Sequence, residues 1–232
     1  MSDFESALIV GAGNGLSASL ARLLAGEGLR VGLAARNVDK LRELATATGA
    51  VTAACDAADA EQVAALFDTM DTQLGGPPDI VIYNASGRAR GPFVELQPAA
   101  VQNALAVGAF GGFLVAQQAA RRMLPRGRGA ILFTGASASV KGYKQSAPFA
   151  MAKFALRGLA QSMARELAPQ GIHVAHFVID GAIRNPGRTE APDAPDSMLD
   201  PDAIALSYLH VIHQERSAWT WEVELRPWVE TF

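Results

Sequence analysis

The chain has 232 residues, half of them hydrophobic and 19% charged, with a formal net charge of −3. That balance lacks the basic stripe a nucleic-acid partner would need, and the length suits one α/β domain, read as residues 1–232. A single cysteine, Cys55, excludes an intramolecular disulfide, and residues 1–6 have no basic region ahead of an apolar stretch. The expectation is a cytoplasmic protein with no membrane segment.

In chain order, a short apolar run at 7–10 enters the turn Gly11-Ala12-Gly13-Asn14-Gly15 and a helical pattern over 16–27. Further runs at 31–34, 51–54, 80–83, 130–133, 174–179 and 221–225 alternate with helical patterns at 38–48, 60–74, 98–124, 146–168 and 201–214. Most of the runs are rich in β-branched residues without polar alternation, as in strands buried on both faces. Strands alternating with helices imply right-handed crossovers and a doubly wound α/β (Rossmann) fold, a seven-stranded, mainly parallel sheet with helices on both faces. Such folds bind ligands beyond the carboxyl ends of their strands. Residues 185–200, rich in Pro, Asp and Gly, are expected to be a substrate loop over that edge. Arg121, Arg122, Arg126 and Arg128 read as a solvated helix end, and Trp219, Trp221 and Trp228 as core and interface packing.

The strand–turn–helix context makes Gly11, Gly13, Asn14, Gly15 and Leu16 a candidate pyrophosphate cradle. Glycines permit close backbone approach, and the helix N-terminus offers unpaired N–H groups. An acidic residue ending the second strand would select NAD. The sequence instead has Ala34-Ala35-Arg36, and a guanidinium suits a 2′-phosphate, so NADP(H) is favoured over NAD(H). The alternative for Arg36 is a solvated loop residue. Cys55 reads as a small buried residue, and His173 and His176 as packed or hydrogen-bonded on a strand.

From Leu8 to Leu225 the chain resembles the short-chain dehydrogenase/reductase family. Gly11-x-x-x-Gly15 is similar to its glycine turn, with Ser17 at the last glycine, and Asn84-Ala85-Ser86-Gly87 to its Asn-Asn-Ala-Gly segment. The resemblance implies that Asp56 meets the adenine amino group, that Asn84 and Ala85 line the cofactor, and that Gly181 and Ile183 hold the nicotinamide carboxamide. Phe149-Ala150-Met151-Ala152-Lys153 resembles the family's Tyr-x-x-x-Lys, with Phe149 at the tyrosine and Lys153 at the lysine. The serine position falls on Ala136 and the asparagine position on Gly108. Three of four catalytic positions therefore lack their polar groups. Lys153, Tyr143 and Ser137 remain as catalytic candidates, with Ser146 a further hydroxyl near the pocket. The resemblance implies an oxidoreductase acting on a small-molecule carbonyl or alcohol, assembled as a homodimer or homotetramer. The alternative is a non-catalytic NADP(H)-binding sensor or partner subunit.

Overall fold

The computed structural model describes residues 4–230, so residues 1–3 of the segment read for targeting signals lie outside the described residues. β1 (Ser6–Val10) leads to α1 (Leu16–Gly26), β2 (Arg30–Ala35), α2 (Arg42–Thr48), β3 (Val51–Ala54), α3 (Ala60–Gln73) and β4 (Ile80–Tyr83). There follow α4 (Pro98–Leu105), α5 (Gly111–Met123), β5 (Gly129–Thr134), α6 (Ala147–Leu167) and β6 (Ile172–Ile179). The last elements are β7 (Ala182–Ile183), β8 (Met198–Leu199), α7 (Pro201–Ile212) and β9 (Glu222–Leu225). Seven strands form one sheet in the order β3-β2-β1-β4-β5-β6-β9, and every pairing is parallel. This is the expected doubly wound Rossmann arrangement. The strand order reverses between β1 and β4, which opens a crevice at their carboxyl ends.

Side chains along β1 alternate between two cores, one on each face of the sheet. Ala7 and Ile9 pack with Leu20, Leu24 and Tyr208, while Leu8 and Val10 pack with Phe67, Met70, Val115 and Leu156. Burying a Leu, Ile or Phe side chain stabilises by roughly 1.5–3 kcal/mol, so both faces anchor the strand ends that carry the site.

Four expectations change. The helix expected over 98–124 is interrupted by a π-helical turn at Ala106–Phe110. The Tyr83 hydroxyl donates to the Val107 carbonyl inside that turn, and a Cβ on Gly108 would lie 2.6 Å from Ala152 Cβ. Close approach of α6 and a hydrogen bond from the sheet thus fix the bulge. The Pro98–Arg126 stretch is long and apolar enough to cross a membrane by composition, yet Val115, Ala116 and Ala119 are buried against the sheet.

Of the arginine cluster only Arg121 is the expected solvated helix end; the other three are paired. Arg126 and Arg128 pair with the buried Asp79, which also accepts from the Glu5 backbone N–H at 2.8 Å. Arg122 bridges Asp68 and Asp71 at 2.6 and 2.7 Å. The loop 185–200 is partly ordered, because β7 pairs with β8 and Asn185 bridges Arg188. Trp228 is 82% exposed, with its indole N–H donating to Asp196, so it braces that loop instead of filling the core. Trp219 does pack, stacking on His173 with centroids 4.6 Å apart.

Candidate active site

The turn after β1 is built for close backbone approach. Gly11 has φ +87°, and a Cβ there would meet the Ala85 backbone nitrogen at 2.3 Å, so only glycine lets the turn pass beneath the segment that follows β4. A Cβ on Gly13 would have nothing within 4 Å, leaving that backbone open to the crevice. Gly15 precedes α1 at the cap position and offers no side-chain cap, and the first turn of α1 has no acidic residue, whereas α3 and α7 are capped by Asp59 and Asp200. An uncapped helix N-terminus facing a crevice fits a phosphate group. Ser17 is more than a small substitute for glycine. Its hydroxyl donates to the Gly11 carbonyl at 3.3 Å and accepts from the Asn84 amide at 2.6 Å, tying β4 to the turn.

Two cavities flank this turn and share Asn84 and Ser86. The first, about 310 Å³, is lined by Gly11, Gly13, Arg36, Lys40, Asp56 and Ala85, among others. Asp56 accepts from the Ala58 backbone N–H at 3.0 Å, which sets its carboxylate at the end of β3. Lys40 was missed by sequence reasoning; it lies in a short 3₁₀ turn (Asp39–Leu41) just beyond the end of β2, where the fold rather than a motif brings it beside Arg36. Asn14 is exposed and lines neither cavity. Cys55 is buried, and burial with the nearby Asp56 and Asp59 charges pushes its thiol up to about 11, which leaves it unreactive at neutral pH.

The second cavity, about 250 Å³, gathers Gly15, Leu16, Ala136, Phe149, Lys153, Gly181 and Ile183 with two residues that sequence reasoning did not single out, Arg88 and Arg188. Lys153 is 3% exposed and donates to the Thr134 carbonyl at 2.7 Å. Burial, then the charge of Arg88, holds its amine down at about 7. The Phe149 ring lies 5.8 Å from the Lys153 Nζ and 4.6 Å from the Arg88 guanidinium carbon.

Neither proposed hydroxyl reaches this lining. Ser137 starts a 3₁₀ turn one residue beyond Ala136, so the lining falls to the alanine. Tyr143 is 45% exposed, with the Lys141 amine 5.9 Å from its ring centroid. Ser146 is buried ahead of α6 and also lies outside the lining.

Behind the β5 end runs a buried chain of hydrogen bonds. The Ala136 N–H donates to Ser139 Oγ at 3.2 Å, Ser139 Oγ meets His176 Nε2 at 3.3 Å, and His176 Nδ1 meets Glu222 at 3.2 Å. A neutral imidazole protonated at Nδ1 satisfies all three contacts. Arg157 completes the network with two bonds to Glu222 at 2.6 and 2.8 Å. Ser139 and His176 are fully buried, so this Ser–His–Glu chain has no route to substrate and serves to fix the loop carrying Ala136.

Burial outweighs Glu222 and holds the His176 pKa at about 4, against an ordinary 6.5. The unfolded chain therefore binds the extra proton more readily between those values. Stability from this group is complete above pH 6.5 and is lost as pH falls toward 4, by about 3 kcal/mol in all. Denaturant unfolding at pH 7 and pH 4.5 is expected to show most of that loss in the parent and to lack this component in His176→Gln. An equal pH dependence in both proteins would contradict the assignment.

A family model for short chain dehydrogenase matches residues 5–192. D-Threitol dehydrogenase of Mycolicibacterium smegmatis is 32% identical over 178 residues, covering 74% of this chain and 68% of its own. A short-chain dehydrogenase from Rhodopseudomonas palustris is 34% identical with a TM-score of 0.82, over 97% of this chain and 99% of that one. A variant of actinorhodin polyketide ketoreductase, solved with NADPH, is 25% identical with a TM-score of 0.88, over 98% and 97% of the two chains. With the family model covering most of the chain and these relatives spanning it, the chain belongs to the short-chain dehydrogenase/reductase family of NAD(P)-binding oxidoreductases.

Proposed function

We propose that the chain is a single-domain, NADP(H)-dependent oxidoreductase of a carbonyl or alcohol whose proton delivery departs from the family pattern. The observation that carries the cofactor choice is the pair Arg36 and Lys40 in the cavity at the end of β2, with Ala34-Ala35 where an NAD-selecting acid would stand. The NADPH-bound ketoreductase neighbour agrees with this choice. Asp56 would accept from the adenine amino group, the α1 N-terminus would face the pyrophosphate, and Lys153 would hold the nicotinamide ribose. Backbone at Gly181 and Ile183 would hold the carboxamide. Bound there, the cofactor supplies a hydride to the carbonyl carbon.

The departure lies in what surrounds Lys153. Phe149, Ala136 and Gly108 stand where the family places its tyrosine, serine and asparagine, and none carries a hydroxyl or amide side chain. Lys153 is the acid that remains in the cavity. With its pKa held near 7, its ammonium can give up a proton at neutral pH.

Fluorescence titration tests the cofactor half. NADPH is expected to bind at least tenfold more tightly than NADH, and Arg36→Ala to remove about 10- to 100-fold of that preference, the scale of a charge-assisted hydrogen bond. Equal affinities in the parent, or no NADPH binding, would overturn the reading. We also propose a homodimer through the exposed Phe110, Phe113, Met151 and Phe154 around α5 and α6. Light scattering should give twice the chain mass and a monomer for Phe154→Glu; a monomeric parent would contradict it.

A further inference from the structure

The second cavity is cationic on every charged side. Arg88 follows the Asn84–Gly87 segment at the end of β4; a Cβ on Gly87 would meet the Ala104 Cα at 2.9 Å, so this backbone is pressed against α4. From there the Arg88 guanidinium reaches over the Phe149 ring, 4.6 Å from its centroid. Arg188 enters the same lining from the loop after β7, where paired backbone bonds with Asn185 at 2.9 and 3.0 Å hold it. No Asp or Glu lines this cavity, and among the described residues neither arginine has a carboxylate partner. Partial covering, then the charges of Arg90 and Arg188, lower the Arg88 pKa, as expected for like charges gathered without a counter-ion.

A solvated arginine normally samples many rotamers or pairs with a nearby acid. Held over an aromatic face instead, a guanidinium is restrained in place, and with no acid beside it the N–H donors stay available to a carboxylate, which can take two parallel hydrogen bonds. Phe149 therefore has a positive role as the platform for Arg88, which a ring serves without its hydroxyl. We propose that Arg88, assisted by Arg188, receives the anionic group of the substrate, so that the substrate class is a small carbonyl compound carrying a carboxylate. This rests on the reading of the cavity as the nicotinamide side of the site.

The test compares phenylglyoxylate with its methyl ester, which differ in charge at one end, by calorimetric titration into the NADP⁺-loaded protein. The acid is expected to bind at least tenfold more tightly than the ester, the low end for a charge-assisted pair. Arg88→Gln should reduce that discrimination to about twofold while leaving NADP⁺ affinity within about threefold, since this side chain is assigned to substrate. Arg188→Gln should reduce it by a smaller factor.

Equal binding of acid and ester, or binding of neither, with NADP⁺ binding intact would overturn this proposal alone. So would an Arg88→Gln variant that loses NADP⁺ affinity as much as acid affinity, because the arginine would then belong to the cofactor. A parent chain that fails to bind NADP⁺ would overturn the cofactor reading, and this inference with it.

Discussion

Ala136→Ser combined with Phe149→Tyr is expected to raise NADPH-dependent carbonyl reduction by about 10²-fold, the lower range for supplying a positioned general acid. Both positions line the cavity beside Lys153, so two hydroxyls would enter the site without moving its backbone. The new phenol would sit between two cations, Lys153 at 5.8 Å and Arg88 at 4.6 Å from the ring, which favour its ionised form and lower its pKa. Gly108 is left unchanged because any side chain there meets Ala152 Cβ at 2.6 Å, and an asparagine would force α6 away from the π-helical turn. The check is initial-rate NADPH oxidation across a carbonyl panel, for the parent, each single variant and the pair. An unchanged rate in the pair would show that proton delivery does not limit the parent.

Lys153→Met is the second large effect. Turnover should fall by roughly 10²–10⁴-fold, since the substitution removes the one acid of the lining that is poised near neutrality. Stability should move the other way. The amine titrates at about 7 in the folded chain against an ordinary 10.5, so the unfolded chain binds its proton more readily between those values. The cost of burying the charge is present in full below pH 7 and fades as pH rises toward 10.5. Relative to the parent, the Met variant should therefore gain stability by a few kcal/mol between pH 10 and pH 6.5, read from denaturant unfolding. With the ammonium as acid, parent turnover should also decline as pH rises through about 7. A Met variant with parental turnover would remove Lys153 from the chemistry.

Most strands were readable because they are short, largely apolar and bounded by turns, and the interior runs of β1, β4 and β5 leave no polar face to misread. The glycine turn was readable because Gly11 answers a local backbone demand, a positive φ beneath Ala85. What escaped depends on partners distant in sequence. The π-helical turn owes its place to Tyr83 and Ala152, which helical spacing within 98–124 does not register. Arg126 looked solvated because its buried partner, Asp79, lies 47 residues away. Arg88 and Arg188 carry no motif; they become a site only where β4 and the loop after β7 converge on Phe149. Ser17 was visible as a small residue, but its hydroxyl link to Asn84 spans 67 residues.

Hydride transfer is the step on which the reading turns. The direct measurement is a single turnover of the parent protein with NADPH deuterated at the transferring carbon of the nicotinamide, with phenylglyoxylate and its methyl ester offered separately. Deuterium at the new carbinol carbon, with a rate that Lys153→Met suppresses, is the expected result. NADPH that binds tightly yet keeps its deuterium with both carbonyls would contradict it.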